Sequence, residues 1–230
     1  MSLSLLIPSL SLALLGAFLQ GYLGKRGQKA VGKDYDFRSY FPYELYGDSR
    51  SPFLLFARIF EGISLLSLLV LPIALTMTYA SSYEGYLTSF LAGLIIVASL
   101  FALSYFYLSL VPVQHEKLHL AVYFLASALN TLNLSMEGYF LLLLIRHGSG
   151  KESLYVFVGF LFLFALASIL LPLNPRLKHW ADLEKVAEKD GTISFRRPKV
   201  FILALSEWLL YLFALVGFAL AVVAFFLVAL

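Results

Sequence analysis

The sequence predicts an all-α fold, a polytopic integral membrane bundle of six transmembrane helices, and three observations predict it. The chain has 230 residues, of which 60% are hydrophobic and 13% charged, against about 45–50% and about 25% in a soluble domain. Its mean hydropathy is +0.85. Six apolar runs reach or approach the roughly 18–20 residues that cross a bilayer, and the loops between them are too short to hide a soluble domain. These proportions exclude an ordinary cytosolic enzyme, a disordered chain and a nucleic-acid-binding domain. Cysteine is absent, so there is no disulfide framework, thiol nucleophile or thiolate metal site.

The spans fall at about 3–23, 53–79, 86–111, 115–145, 153–173 and 200–230 within one transmembrane domain. The first has no basic residue before it and no small-residue cleavage site, which predicts an uncleaved anchor. Pro112 closes the third run. Two polar loops, 24–52 and 174–199, interrupt the pattern. In the first, Phe41-Pro42-Tyr43-Glu44-Leu45-Tyr46 sets aromatic rings beside charge and proline, which suits the headgroup level. In the second, Leu177, Trp180, Leu183 and Val186 share one face at helical spacing, predicting a short interfacial helix over residues 176–189. Asp190-Gly191 then turns the chain.

Lysine and arginine placement predicts orientation. Lys25, Arg26, Lys29, Lys33, Arg38 and Arg50 sit in the first long loop, Lys117 in the third-to-fourth loop, and Arg176, Lys178, Lys185, Lys189, Arg196, Arg197 and Lys199 in the second long loop. Only Arg146 and Lys151 lie on the other side. Both termini are therefore predicted outside and both long loops in the cytoplasm, with the cell membrane as the location in a prokaryote.

Ionisable groups inside a span cost several kcal/mol and face the protein interior. At about 100° per residue, His115, His119, Asn130, Asn133 and Glu137 fall within roughly 60° of arc on the fourth span. At about 1.5 Å per residue the stripe is about 33 Å long, close to the hydrocarbon thickness. It reads either as interhelical hydrogen bonding or as the wall of a polar cavity. A second group joins Arg58 and Glu61 of span two, three residues apart and able to pair, to Glu207 and Trp208 of span six. With the predicted orientation, Glu61, Glu207, His115 and His119 all lie in the cytoplasmic half of the bundle.

Residues 115–119 read His-Glu-Lys-Leu-His, an HExxH motif. On a helix His115 and His119 could share a zinc ion, with Glu116 as general base and Glu61 or Glu207 as third ligand. Pro112 opposes this by threatening the helix at His115. The Gly148-Ser149-Gly150-Lys151 stretch lacks the strand and terminal Ser/Thr of a phosphate loop.

Three stretches together resemble the DRAM-like six-span membrane proteins, a family of autophagy modulators and GPI-anchor-remodelling relatives. The segment Phe41 to Pro52 is similar to that family's aromatic, proline-containing segment before span two. His119-Leu120-Ala121-Val122-Tyr123-Phe124 looks like its histidine at the start of span four. Phe201 to Glu207-Trp208 is similar to its last-span element, with one extra intervening residue. The resemblance implies an integral membrane protein of lipid handling or membrane organisation, and it carries over His119 and Glu207. The family's usual topology puts the first long loop in the lumen or outside, opposite to the side that the basic residues predict here.

The leading expectation is a non-enzymatic membrane protein that binds a lipid headgroup or small polar ligand in an intramembrane cavity. Its ligand-binding residues would be His119, Asn130, Asn133, Glu137, Arg58, Glu61, Glu207 and Trp208, with no cofactor. The alternatives are an intramembrane zinc metallohydrolase, which brings zinc, and a transporter or structural subunit of a membrane complex. Expected partners are membrane lipids, with a homo-oligomer or membrane-complex partner beside them, and no nucleic acid.

Overall fold

The computed structural model describes residues 3–46, 51–79, 85–112, 115–147, 152–175, 177, 184–187, 193–196 and 198–229. Its helices are α1 (Leu6–Ala30), α2 (Pro52–Ser67), α3 (Val70–Tyr79), α4 (Tyr86–Leu108), α5 (Glu116–Arg146), α6 (Tyr155–Leu170) and α7 (Ile202–Ala229). Because α2 and α3 together make one span, six helical segments are long and apolar enough to cross a membrane. The chain is an integral membrane protein built as an all-α bundle.

The break within the second span has a local cause. Pro72 has no N–H to give the Leu68 carbonyl, and its ring crowds that turn. The helix tightens there, with the Leu68 and Leu69 amides donating to Leu65 and Leu66, and resumes at Val70. α5 starts after Pro112, with His115 as its N-cap residue and Glu116 in the first turn, where a carboxylate suits the helix dipole.

Packing follows from small residues. On α1, Ser9, Ala13, Gly16, Gln20, Gly24 and Gly27 are buried at three- and four-residue steps. They let α1 lie against α2, as small residues do between membrane helices, where close van der Waals approach drives association. A Cβ at Gly16 would stand 2.9 Å from the Phe60 carbonyl oxygen. α5 packs between α4 and α6, and α7 contacts α5, α6 and α1. Outward-facing Phe18, Leu55, Leu66, Met77, Leu103 and Leu163 are exposed, a surface that only lipid makes favourable.

Two sequence expectations change. The first helix runs on to Ala30, past the span boundary at 23, because the Gly24–Ala30 stretch keeps its buried face against the bundle. The interfacial helix over 176–189 is not formed at its C-terminal end. Glu184–Ala187 is instead strand β1, paired antiparallel with strand β2, Ile193–Arg196. The ladder pairs the backbone groups of the two strands where a short isolated helix is marginal. Residues 176, 178–183, 188 and 189 of the expected helix, and the Asp190-Gly191 turn, lie outside the described residues.

Candidate functional site

The polar centre of the molecule lies where the first long loop crosses the end of the bundle. Gly32 takes φ +79°, a left-handed conformation glycine adopts without steric cost, and turns the chain out of α1. The following segment closes with a 3-10 turn at Pro42–Tyr46. Gln28 Nε2 donates to the carbonyls of Glu44 (2.9 Å) and Leu45 (2.8 Å). Trp208 Nε1 donates to the Tyr40 carbonyl at 3.1 Å, and Phe37 packs edge-on against Trp208. The Phe201 amide donates to the Arg38 carbonyl at 2.7 Å. Outside the spans, hydrogen bonds from Arg38 hold the exposed Asp36 carboxyl below its ordinary value.

Beneath this segment His119 of α5 and Glu207 of α7 meet. The His119 Nε2–Glu207 Oε1 distance is 2.7 Å, and both side chains are 0% exposed. His119 Nδ1 lies 2.8 Å from the Val111 carbonyl oxygen. Phe41 and Tyr43 cover the imidazole edge-on, at 5.6 and 5.9 Å between ring centres. Glu207 Oε2 is buried without a partner among the described residues. Tyr43 also forms one wall of a polar recess of about 330 Å³, with Gln28, Lys33, Asp34, Tyr40 and Glu44 around it.

Arg58 and Glu61 do not form the direct ion pair that their spacing suggests. Ser109, at the end of α4, comes between them. Arg58 Nη2 donates to the Ser109 carbonyl at 3.2 Å, and Ser109 Oγ lies 3.1 Å from Glu61 Oε2. The Arg58 guanidinium sits 4.4 Å over the Tyr46 ring, and the Tyr46 hydroxyl accepts from Gln20 Nε2 at 2.9 Å. Burial and the neighbouring Glu61 carboxylate push the Tyr46 phenol well above its ordinary value, so it remains a hydrogen-bond donor.

The rest of the α5 stripe divides. Asn130 Nδ2 donates to Ser168 Oγ of α6 at 2.9 Å, and Ser127 Oγ to the Ser168 carbonyl at 2.5 Å. One turn on, Asn133 Nδ2 donates to Glu137 Oε1 at 3.0 Å. Asn130 Oδ1, Asn133 Oδ1 and Glu137 Oε2 are buried acceptors without partners among the described residues. The upper part of the stripe therefore serves α7, the middle α6, and the lower part itself.

The zinc set does not fit this arrangement. His115 and Glu116 are exposed at the start of α5 while His119 is buried, and both ring nitrogens of His119 lie against protein oxygens. Among the described residues no three His, Asp or Glu side chains gather closely enough to share a metal ion.

Sequence reasoning missed Ser109, Tyr46, Gln20 and Ser168. The available signal was weak: Gln20 and Gln28 recur eight residues apart on the small-residue face of α1. No protein-family model matches the chain, and no curated protein or solved structure matches it either. Fold and site together define a class, a six-span integral membrane protein with a buried histidine–glutamate pair under an aromatic segment.

Proposed function

We propose that this protein binds a lipid headgroup, or a small polar ligand of similar chemistry, at the capped end of its bundle, and that it serves lipid handling or membrane organisation without catalysing a reaction. One observation carries the reading. The buried His119–Glu207 pair ends in an unmatched carboxylate oxygen, and it stands behind Tyr43, a wall of the polar recess. Unmet acceptors call for a donor, since a buried polar atom without a partner costs about 1–3 kcal/mol. Hydroxyl and ammonium groups of headgroups supply such donors. The basic loops put this end at the cytoplasmic face, and the resemblance to DRAM-like proteins points towards lipids as well.

Extraction of the purified protein followed by mass spectrometry tests the proposal. The expected result is about one hydroxyl- or amine-bearing lipid per chain (the stoichiometry of a single site), depleted in Tyr43→Ala and in Glu44→Gln. An identical lipid complement in all three proteins would count against it.

A further inference from the structure

A different face of the bundle carries a second ligand argument, independent of the recess behind Tyr43. On α2, Arg58, Gly62 and Leu66 follow one another at four-residue steps and form one stripe, which Leu69 extends in the turn just past the helix end. Arg58 is six residues into a helix that starts at Pro52, about 9 Å along its axis. That depth is close to the boundary between headgroups and hydrocarbon when Pro52 lies at the surface.

Among the described residues no carboxylate forms a direct ion pair with the guanidinium there. Tyr46 stacks beneath it, the Ser109 carbonyl accepts from Nη2, and Glu61 acts on it across Ser109 and Tyr46 without a direct ion pair. Arg58 Nε is buried without an acceptor. Arg58 borders a recess of about 250 Å³ with Tyr46, Leu54 and Leu55. One helical turn further along α2, a groove of about 350 Å³ runs between Gly62 and Leu66 of α2, Leu69 just beyond it, and Ala102, Leu103 and Phe106 of α4. Gly62 opens it, for a Cβ at this position would meet nothing within 4 Å.

A cation lacking a direct counter-ion, set one turn from an apolar groove that faces lipid, has the two halves of one recognition chemistry. We propose that the α2–α4 face binds one anionic phospholipid, its phosphate against Arg58 and an acyl chain along the groove. A guanidinium matches phosphate oxygens with two donors, and a headgroup without an ammonium leaves the phosphate charge uncompensated.

Native mass spectrometry of the full-length protein, titrated with phosphatidylglycerol, phosphatidylcholine or inorganic phosphate, tests this. The expected result is one phosphatidylglycerol retained with about tenfold preference over phosphatidylcholine, and no retention of inorganic phosphate. Arg58→Gln should abolish the preference and Arg58→Lys should keep most of it. Gly62→Leu should fill the groove and weaken retention of both lipids without disturbing the fold. Equal retention of the two lipids by the wild type would overturn the proposal, as would unchanged preference in Arg58→Gln. If Arg58→Gln fails to fold, undiminished phosphatidylglycerol retention by Gly62→Leu overturns it instead. Retention of phosphate alone would show an anion site without a lipid.

Discussion

His119 and Glu207 join two spans 88 residues apart through a 2.7 Å contact, while the second imidazole nitrogen reaches the Val111 carbonyl just beyond α4. One side chain thus ties α5 to α7 and to the end of α4. Removing either partner leaves a buried polar group uncompensated, which costs about 3–5 kcal/mol. His119→Leu and Glu207→Leu should each lower the unfolding temperature in detergent markedly. The double variant should lose less than the sum of the two, because the groups act as a pair. Additive losses would show that they are energetically separate.

Close approach of α1 to α2 makes a second prediction. Gly16→Leu drives a side chain into the Phe60 carbonyl and Ser64, so the two helices must move apart. Gly159 has open space around its Cβ position. Gly16→Leu should therefore reduce stability by about 1–3 kcal/mol or more, and Gly159→Leu should change it little. Thermal unfolding of both variants in one detergent makes the comparison.

Arg58→Leu should destabilise the protein more than Lys25→Leu. Arg58 donates to the Ser109 carbonyl and covers Tyr46, whereas Lys25 is exposed. The expected difference is about 1–3 kcal/mol, read from unfolding curves. Equal stability would mean that the Arg58–Ser109–Glu61 chain contributes nothing.

Sidedness is testable because the chain has no cysteine of its own. Ala30 and Ser153 are exposed near opposite ends of their spans. In intact cells an impermeant thiol reagent should label Ser153→Cys and spare Ala30→Cys. The reverse pattern would invert the orientation drawn from the basic loops.

The spans and the ionisable residues within them were legible from the sequence, since a bilayer imposes length and a cost on charge. What joined those residues was not. Arg58 and Glu61 have the spacing of a pair, yet Ser109 from α4 takes the position between them. A wheel of α5 aligns His119 with Glu137, but it says nothing of Ser168 facing Asn130 or of Glu207 facing His119. Likewise Leu177, Leu183 and Val186 fit a helical face, although Val186 pairs with Ser194 in a hairpin. Periodicity orders the residues of one element, and lateral meetings depend on how the elements pack.

The recess walled by Tyr43 is expected to receive a donor-bearing headgroup, with the His119–Glu207 pair on the other side of that ring. An experimental structure of the protein in nanodiscs made from its own membrane lipids tests this most directly. Density in the recess is expected, continuous with the bilayer, with a hydroxyl or ammonium group facing the Asp34 and Glu44 side chains or reaching past Tyr43 towards Glu207 Oε2. A recess holding solvent alone would contradict it.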